Sequence, residues 1–200
     1  MTLTIDSAPV DLPLQSQETF QAYLNRVADF LLQTQRCIGQ FRIDGRAVAT
    51  LEEGASLFPS AASFEVDSVP LQVALQAQVQ LQCDALRKIQ GDCETLITDS
   101  LLADPRQVAA SWGTLCEEIK QVLAFLPTLN GLLTEAQFET LVEQRLSSLT
   151  ATMNEIRVVM AKADIVAFSD LLEMKLVPWI SEMRGFFEGQ RAFVESLAQK

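Results

Sequence analysis

Asp170 and Glu173, three residues apart, form the pattern in this sequence that comes nearest to acid–base or metal chemistry. On a helix this spacing places both carboxylates on one face, where they could act in proton transfer or offer oxygen ligands to a metal. A solvated or ion-paired helix face has the same pattern. Asp164, six residues earlier, fits a helix N-cap. We therefore treat Asp170 and Glu173 as polar candidates for a site.

The sequence contains no histidine, and this excludes several classes of enzyme. Ser-His-Asp and Cys-His nucleophile pairs, histidine proton shuttles and most catalytic zinc or iron sites need an imidazole. The usual di-iron arrangement of helical bundles is excluded for the same reason. We predict a protein that is not an enzyme and binds no metal and no cofactor. A carboxylate-based enzyme around Asp170 and Glu173 is one alternative.

The cysteines are too widely spaced for a zinc knuckle or a thioredoxin-type motif; they are Cys37, Cys83, Cys93 and Cys116. Cys83 and Cys93 lie about 15 Å apart along one predicted helix, too far for a disulfide. We interpret the four as small apolar side chains in a reducing compartment.

Aromatic residues are unusually frequent near the C-terminus. Phe168, Phe186, Phe187 and Phe193, with Trp179, exceed what one buried helix seam requires. Phe186 and Phe187 are adjacent and point about 100° apart, so at least one should leave the principal seam. Our candidate surface for a partner protein or a second copy of the chain consists of Trp179, Phe186, Phe187 and Phe193. The alternatives are ordinary core packing and the lining of an apolar ligand cavity.

The charge and hydropathy of the chain limit its partners and its location. The formal net charge is −11 without a basic stripe, so we expect no nucleic acid and no membrane surface as partner. No window approaches 18 uninterrupted apolar residues, and the start of the chain lacks the pattern of a signal peptide. We expect a cytoplasmic protein.

Two regions differ in their periodicity, and we predict an α+β fold that is mostly α. Residues 1–69 should form a small α/β unit with three or four strands, a helix over 17–36, a hairpin turn at Asp44-Gly45 and a short helix opened by a capping box at Thr50–Glu53. Residues 70–200 should form an antiparallel bundle of about four long helices. Within the last helix, Pro178 should cause a kink or a division, and Gly185 and Gly189 should admit a close neighbour.

The segment "ADIVAFSDLLEMKLVPWISEM", residues 163–183, resembles a pattern found in bacterial proteins of similar size and unassigned function. The matching positions are Asp164, Asp170, Leu171, Leu172, Glu173, Leu176, Pro178 and Trp179. Met174 and Lys175 depart from it, since an aromatic and an acidic residue are expected there. The resemblance implies a bacterial protein and assigns no catalytic residue.

The leading hypothesis from the sequence is a non-enzymatic, adaptor-like or chaperone-like protein that binds another protein. The composition is typical of small acidic helical chaperones, which is an analogy of class. The alternatives are an apolar small-molecule binder with its ligand in the bundle core and the carboxylate-based enzyme.

Overall fold

This computed structural model describes residues 1–127, 129 and 136–197; within these, the side chains of 136–139 and 192–197 lie outside the description. The fold is α+β and mostly helical, as predicted, with a small sheet at the N-terminus. The chain forms two compact units. The first comprises Met1–Gln78 with the C-terminal segment from Val194, and the second comprises Val79–Phe193.

The first unit contains a five-stranded sheet in the order β2-β1-β5-β3-β4. The central strands β1 and β5 are parallel, and the other neighbours are antiparallel. Five strands are found where three or four were predicted. The strands are β1 (Thr2–Ile5), β2 (Ala8–Val10), β3 (Arg36–Ile43), β4 (Arg46–Ala47) and β5 (Ser63–Pro70). The helices are α1 (Phe20–Leu32) and α2 (Leu51–Leu57), followed by a 3-10 turn (Phe58–Ser60).

An aromatic cluster fills the space between α1 and the sheet. Phe20 packs against Phe41, Phe58 and Phe64 with ring centroids 5.4–6.2 Å apart, and Tyr23 contacts Phe58 and Phe64 at 5.5 Å. Tilted and edge-on rings at these separations contribute beyond the area that they bury. The apolar periodicity of α1 thus places its aromatic face on the core of this unit.

The predicted turn at Asp44-Gly45 is confirmed. Both residues have positive φ, 50° and 76°, as a type I′ turn requires, and Arg42 pairs with Ala47 across it. The Asp44 carboxylate accepts the N–H of Ser63 at 2.7 Å. That bond and the N–H donated by Ala62 lower the pKa of Asp44, so the turn residue also fixes the start of β5.

A second turn of the same handedness joins β1 to β2 at Asp6-Ser7, with φ of 51° and 67°. The Asp6 carboxylate accepts the hydroxyl and the N–H of Ser68, at 2.6 and 2.8 Å, and the Arg36 guanidinium at 3.1 Å. These contacts, the Ser68 hydroxyl foremost, lower the pKa of Asp6. A long-range hydrogen-bond network therefore holds a turn that contains no glycine.

Helices follow β5 directly. The long ones are α3 (Leu71–Ser100), α4 (Pro105–Leu123), α5 (Ala136–Ala161) and α7 (Val177–Leu197). Between α5 and α7 lie the short helix α6 (Ile165–Leu171) and a π-helical segment (Leu172–Leu176). The expected N-caps are present: Asp104 accepts the N–H of Arg106 at 2.7 Å, and Asp164 accepts the N–H of Ala167 at 3.0 Å. Asp164 is thus a structural cap that starts α6.

Candidate functional site

The aromatic residues proposed as a contact surface lie inside the second unit. Trp179, Phe186 and Phe187 are 4 %, 8 % and 0 % exposed. Phe186 and Phe187 are both buried although they are adjacent and point in different directions, because α7 is covered on more than one side. The side chain of Phe193, the fourth candidate, lies outside the described residues.

Specific contacts account for the burial of these rings. The Trp179 indole Nε1–H donates to the Arg145 carbonyl at 2.9 Å, and the Arg145 guanidinium lies 5.1 Å from the centre of the Phe186 ring. Phe187 stacks on Phe125 with centroids 6.3 Å apart. A cation over an aromatic face and a satisfied indole N–H are ordinary means of closing a core. These residues therefore join α7 to its neighbours, and little of their surface is exposed.

The two glycines of α7 face open space within the described part of the chain. A Cβ built on Gly185 or Gly189 meets no atom of the described residues within 4 Å. The close neighbour expected there is therefore not found among these residues.

Pro178 lies at the second position of α7 and follows the π-helical segment. The Val177 N–H donates to the carbonyl of Leu172, five residues back, so the hydrogen-bond ladder shifts by one residue just before the proline. Where the sequence predicts a kink or a division of the helix, the structure has a π-helical segment just before the proline. The shift keeps Leu172, Leu176 and Trp179 on the buried side.

An open groove runs between α5 and α6 on the surface of the second unit. The two helices are joined by a short turn in which Ala163 has a φ of 54° and Asp164 caps α6. The groove has a volume of about 510 Å³ and a mostly apolar lining. Its lining residues are Asn154, Glu155, Val158, Val159, Ala167, Asp170 and Leu171.

The polar candidates fall at this groove without forming one acid–base site. Asp170 lines the groove, whereas Glu173 is exposed in the π segment and is not among the lining residues. Across the described part of the chain, neither carboxylate takes part in an ion pair. Glu155 is paired, since Lys175 Nζ lies 2.5 Å from its Oε2. The groove thus combines an apolar floor with an acidic margin.

A second, polar cleft of about 290 Å³ lies between α3 and α4, and the sequence reasoning missed it. Lys88 donates to Asp92 at 2.8 Å and to Glu118 at 2.5 Å. The hydrogen bond to Asp92, with that to Glu118, raises the pKa of Lys88 to about 12. Lys88 is therefore a permanently charged link between two helices and is unsuited to act as a general base. In the sequence, the four-residue spacing of Lys88 and Asp92 indicates an ion pair on one face of a helix.

The described residues contain neither a metal-binding cluster nor a membrane-spanning helix. No group of three or more histidine, cysteine, aspartate or glutamate side chains there has the arrangement of a metal site. Among the helices of the same residues, none combines the length and the hydropathy needed to cross a membrane.

Comparison with known proteins adds no relative to this picture: no family model, no curated protein and no solved structure matches the chain.

Proposed function

We propose that the chain is a non-enzymatic protein-binding protein of the bacterial cytoplasm, adaptor-like or chaperone-like, and that the groove between α5 and α6 is its contact surface. The carrying observation is the open apolar groove itself. Val158, which lines the groove, is 48 % exposed, and the other apolar lining residues are Val159, Ala167 and Leu171. Single exposed apolar residues are common, but an apolar groove that is open to solvent is typical of an interaction site.

We also propose that α3, α4, α5 and the continuous helical stretch from α6 to α7 pack as antiparallel neighbours. In support, Gln90 and Gln80 on α3 accept hydrogen bonds from Arg184 and Arg191 on α7, so the numbering falls on one helix as it rises on the other. The same reversal relates α5 to the π-helical segment and α7. There Arg145 contacts Trp179, and Glu155 contacts Lys175. Such packing supplies a rigid base for the groove.

The other two hypotheses from the sequence have less support. A carboxylate-based enzyme needs two converging acids, and Asp170 and Glu173 are both solvent-exposed with only Asp170 at the groove. An apolar ligand in the bundle core needs space there, whereas the core positions of α7 are occupied by the packed Trp179, Phe186 and Phe187.

A selection of random peptides against the immobilised protein tests the groove without assuming the chemistry of the partner. Peptides that bind the unaltered chain should bind the Val158→Glu variant about tenfold more weakly, since a charge would replace an apolar contact worth about 1.4 kcal/mol. Leu102→Glu is the matched control, because Leu102 is an exposed leucine on the turn between α3 and α4. Selected peptides that bind the two variants equally would show that the groove is not the contact surface.

A further inference from the structure

We propose that the groove between α5 and α6 receives a cationic amphipathic α-helix of a partner protein; this inference rests on the proposed function and names the class of partner. Two independent features of the groove carry it, the nature of its walls and the charge at its margin.

The walls of the groove favour a helical occupant. Both are α-helices, whose backbone groups are bonded within each helix, so the groove offers no strand edge to an extended peptide. A bound segment must satisfy its own backbone groups, and a helix does so.

The length of the groove suits one to two turns of such a helix. On α5 its lining runs from Asn154 to Val159, which corresponds to about 7.5 Å at 1.5 Å per residue, and on α6 from Ala167 to Leu171, about 6 Å. Val158 and Val159 supply the apolar side of the groove on α5. Apolar side chains at positions i and i+4 of a partner helix cover about 6 Å, which belongs to the usual spacing of anchors in this mode of binding.

The acidic residues at the margin of the groove favour a partner with positive charge. Asp170 lies in the groove and Glu173 follows in the next turn, both exposed and without an ion pair among the described residues, while the positive charge of Lys175 is taken up by Glu155. The whole chain carries a net charge of −11. A second copy would bring the same acids against one another, so like charges oppose a homodimer here. Lysine or arginine residues flanking the apolar face of a partner complement this margin.

Two synthetic 14-residue helices test the inference, one of leucine and lysine and one of leucine and glutamate in the same pattern. Their binding to the full chain is measured by fluorescence anisotropy. The lysine helix should bind at least tenfold more tightly than the glutamate helix, and Asp170→Lys should weaken it about three- to tenfold.

The sign of one effect distinguishes binding in the groove from unspecific attraction between a cationic peptide and an acidic protein. Val158→Glu and Leu102→Glu each add one negative charge, so unspecific attraction would strengthen equally in both. Binding in the groove should instead weaken about tenfold in Val158→Glu alone. Unfolding midpoints of both variants, recorded by circular dichroism, establish that each is folded. Equal affinity of the two variants for the lysine helix overturns the inference.

The remaining outcomes distinguish the class of partner from the proposed function. If peptides selected at random need Val158 but neither synthetic helix binds, or if the glutamate helix binds as tightly as the lysine helix, the cationic-helix inference fails and the groove keeps its role. If sedimentation shows a dimer of the unaltered chain that Val158→Glu dissociates, the occupant is a second copy, which also overturns the inference. If no selected peptide depends on Val158, both proposals fail.

Discussion

Gly54→Ala should destabilise the first unit, although alanine is the better helix former. Gly54 is buried in α2, and a Cβ built on it lies 2.4 Å from both Cε1 and Cζ of the Phe20 ring. Carbon atoms prefer separations of about 3.5–4.0 Å, so the ring or the helix must move by about 1 Å. The ring cannot move freely, because Phe41, Phe58 and Phe64 surround it.

The magnitude follows from two opposing effects. Overpacking a well-filled core costs about 1–3 kcal/mol, whereas replacing a helical glycine by alanine gains about 0.5–1 kcal/mol. The difference between these two ranges is a net loss of about 0–2.5 kcal/mol in the free energy of unfolding. Gly91→Ala is the matched control, since a Cβ at Gly91 in α3 meets no described atom within 4 Å. That variant should gain about 0.5–1 kcal/mol.

Urea unfolding followed by circular dichroism measures both changes, and amide hydrogen exchange in α1 assigns the loss to the first unit. A Phe20→Leu background supplies a further check, because the smaller side chain should reduce the penalty of Gly54→Ala to below about 0.5 kcal/mol. The reasoning is refuted if Gly54→Ala stabilises the chain as Gly91→Ala does, or if its penalty is unchanged in the Phe20→Leu background.

Three further predictions concern the core, the pH dependence and the thiols. Trp179→Phe should cost about 0.5–1.5 kcal/mol in urea unfolding, because the Arg145 carbonyl loses its indole donor; an unchanged midpoint would contradict this. The pKa of Asp6 is lowered on folding, so the stability it contributes is present above the ordinary carboxyl pKa of 3.8 and is lost as the pH falls through the lowered value. Asp6→Asn should therefore lower the urea midpoint at pH 7, and this difference should shrink as the pH is lowered below 3.8; a difference that stays constant would argue against the assignment. Burial raises the pKa of Cys93 to about 12, so at pH 8 maleimide labelling read by mass spectrometry should modify Cys37 before Cys93; the reverse order would refute it.

The elements that the sequence predicts correctly depend on local rules. The hairpin at Asp44-Gly45 follows from the two residues of the turn, which must adopt positive φ. The turn at Asp6-Ser7 was not predicted, because its φ values are held by Ser68 and Arg36, which are distant in the sequence. The existence of β2 follows from that turn. A network closed by tertiary contacts leaves no local pattern to find.

The burial of the aromatic residues shows a different limit. Helical periodicity tells which residues share a face, but it does not tell how many neighbours surround the helix. Phe186 and Phe187 point in different directions and are both buried, since Arg145 covers one and Phe125 the other. The groove escaped prediction for a related reason: Val158 has the residue type of a core position, and the sequence does not show that it stays exposed at the groove between α5 and α6.

The π-helical segment ties these observations together. Because the hydrogen-bond ladder shifts by one residue before Pro178, Leu172, Leu176 and Trp179 stay inside while Glu173 and Met174 stay outside. The aromatic residues Trp179, Phe186 and Phe187 thus stabilise the interior, whereas Asp170 lines the groove and Glu173 and Met174 are exposed in the π segment that follows α6. A partner that binds at the groove must therefore contact aliphatic side chains and carboxylates. Substitutions of these residues should alter binding, and they should not cause the large losses of stability expected at the buried aromatic positions.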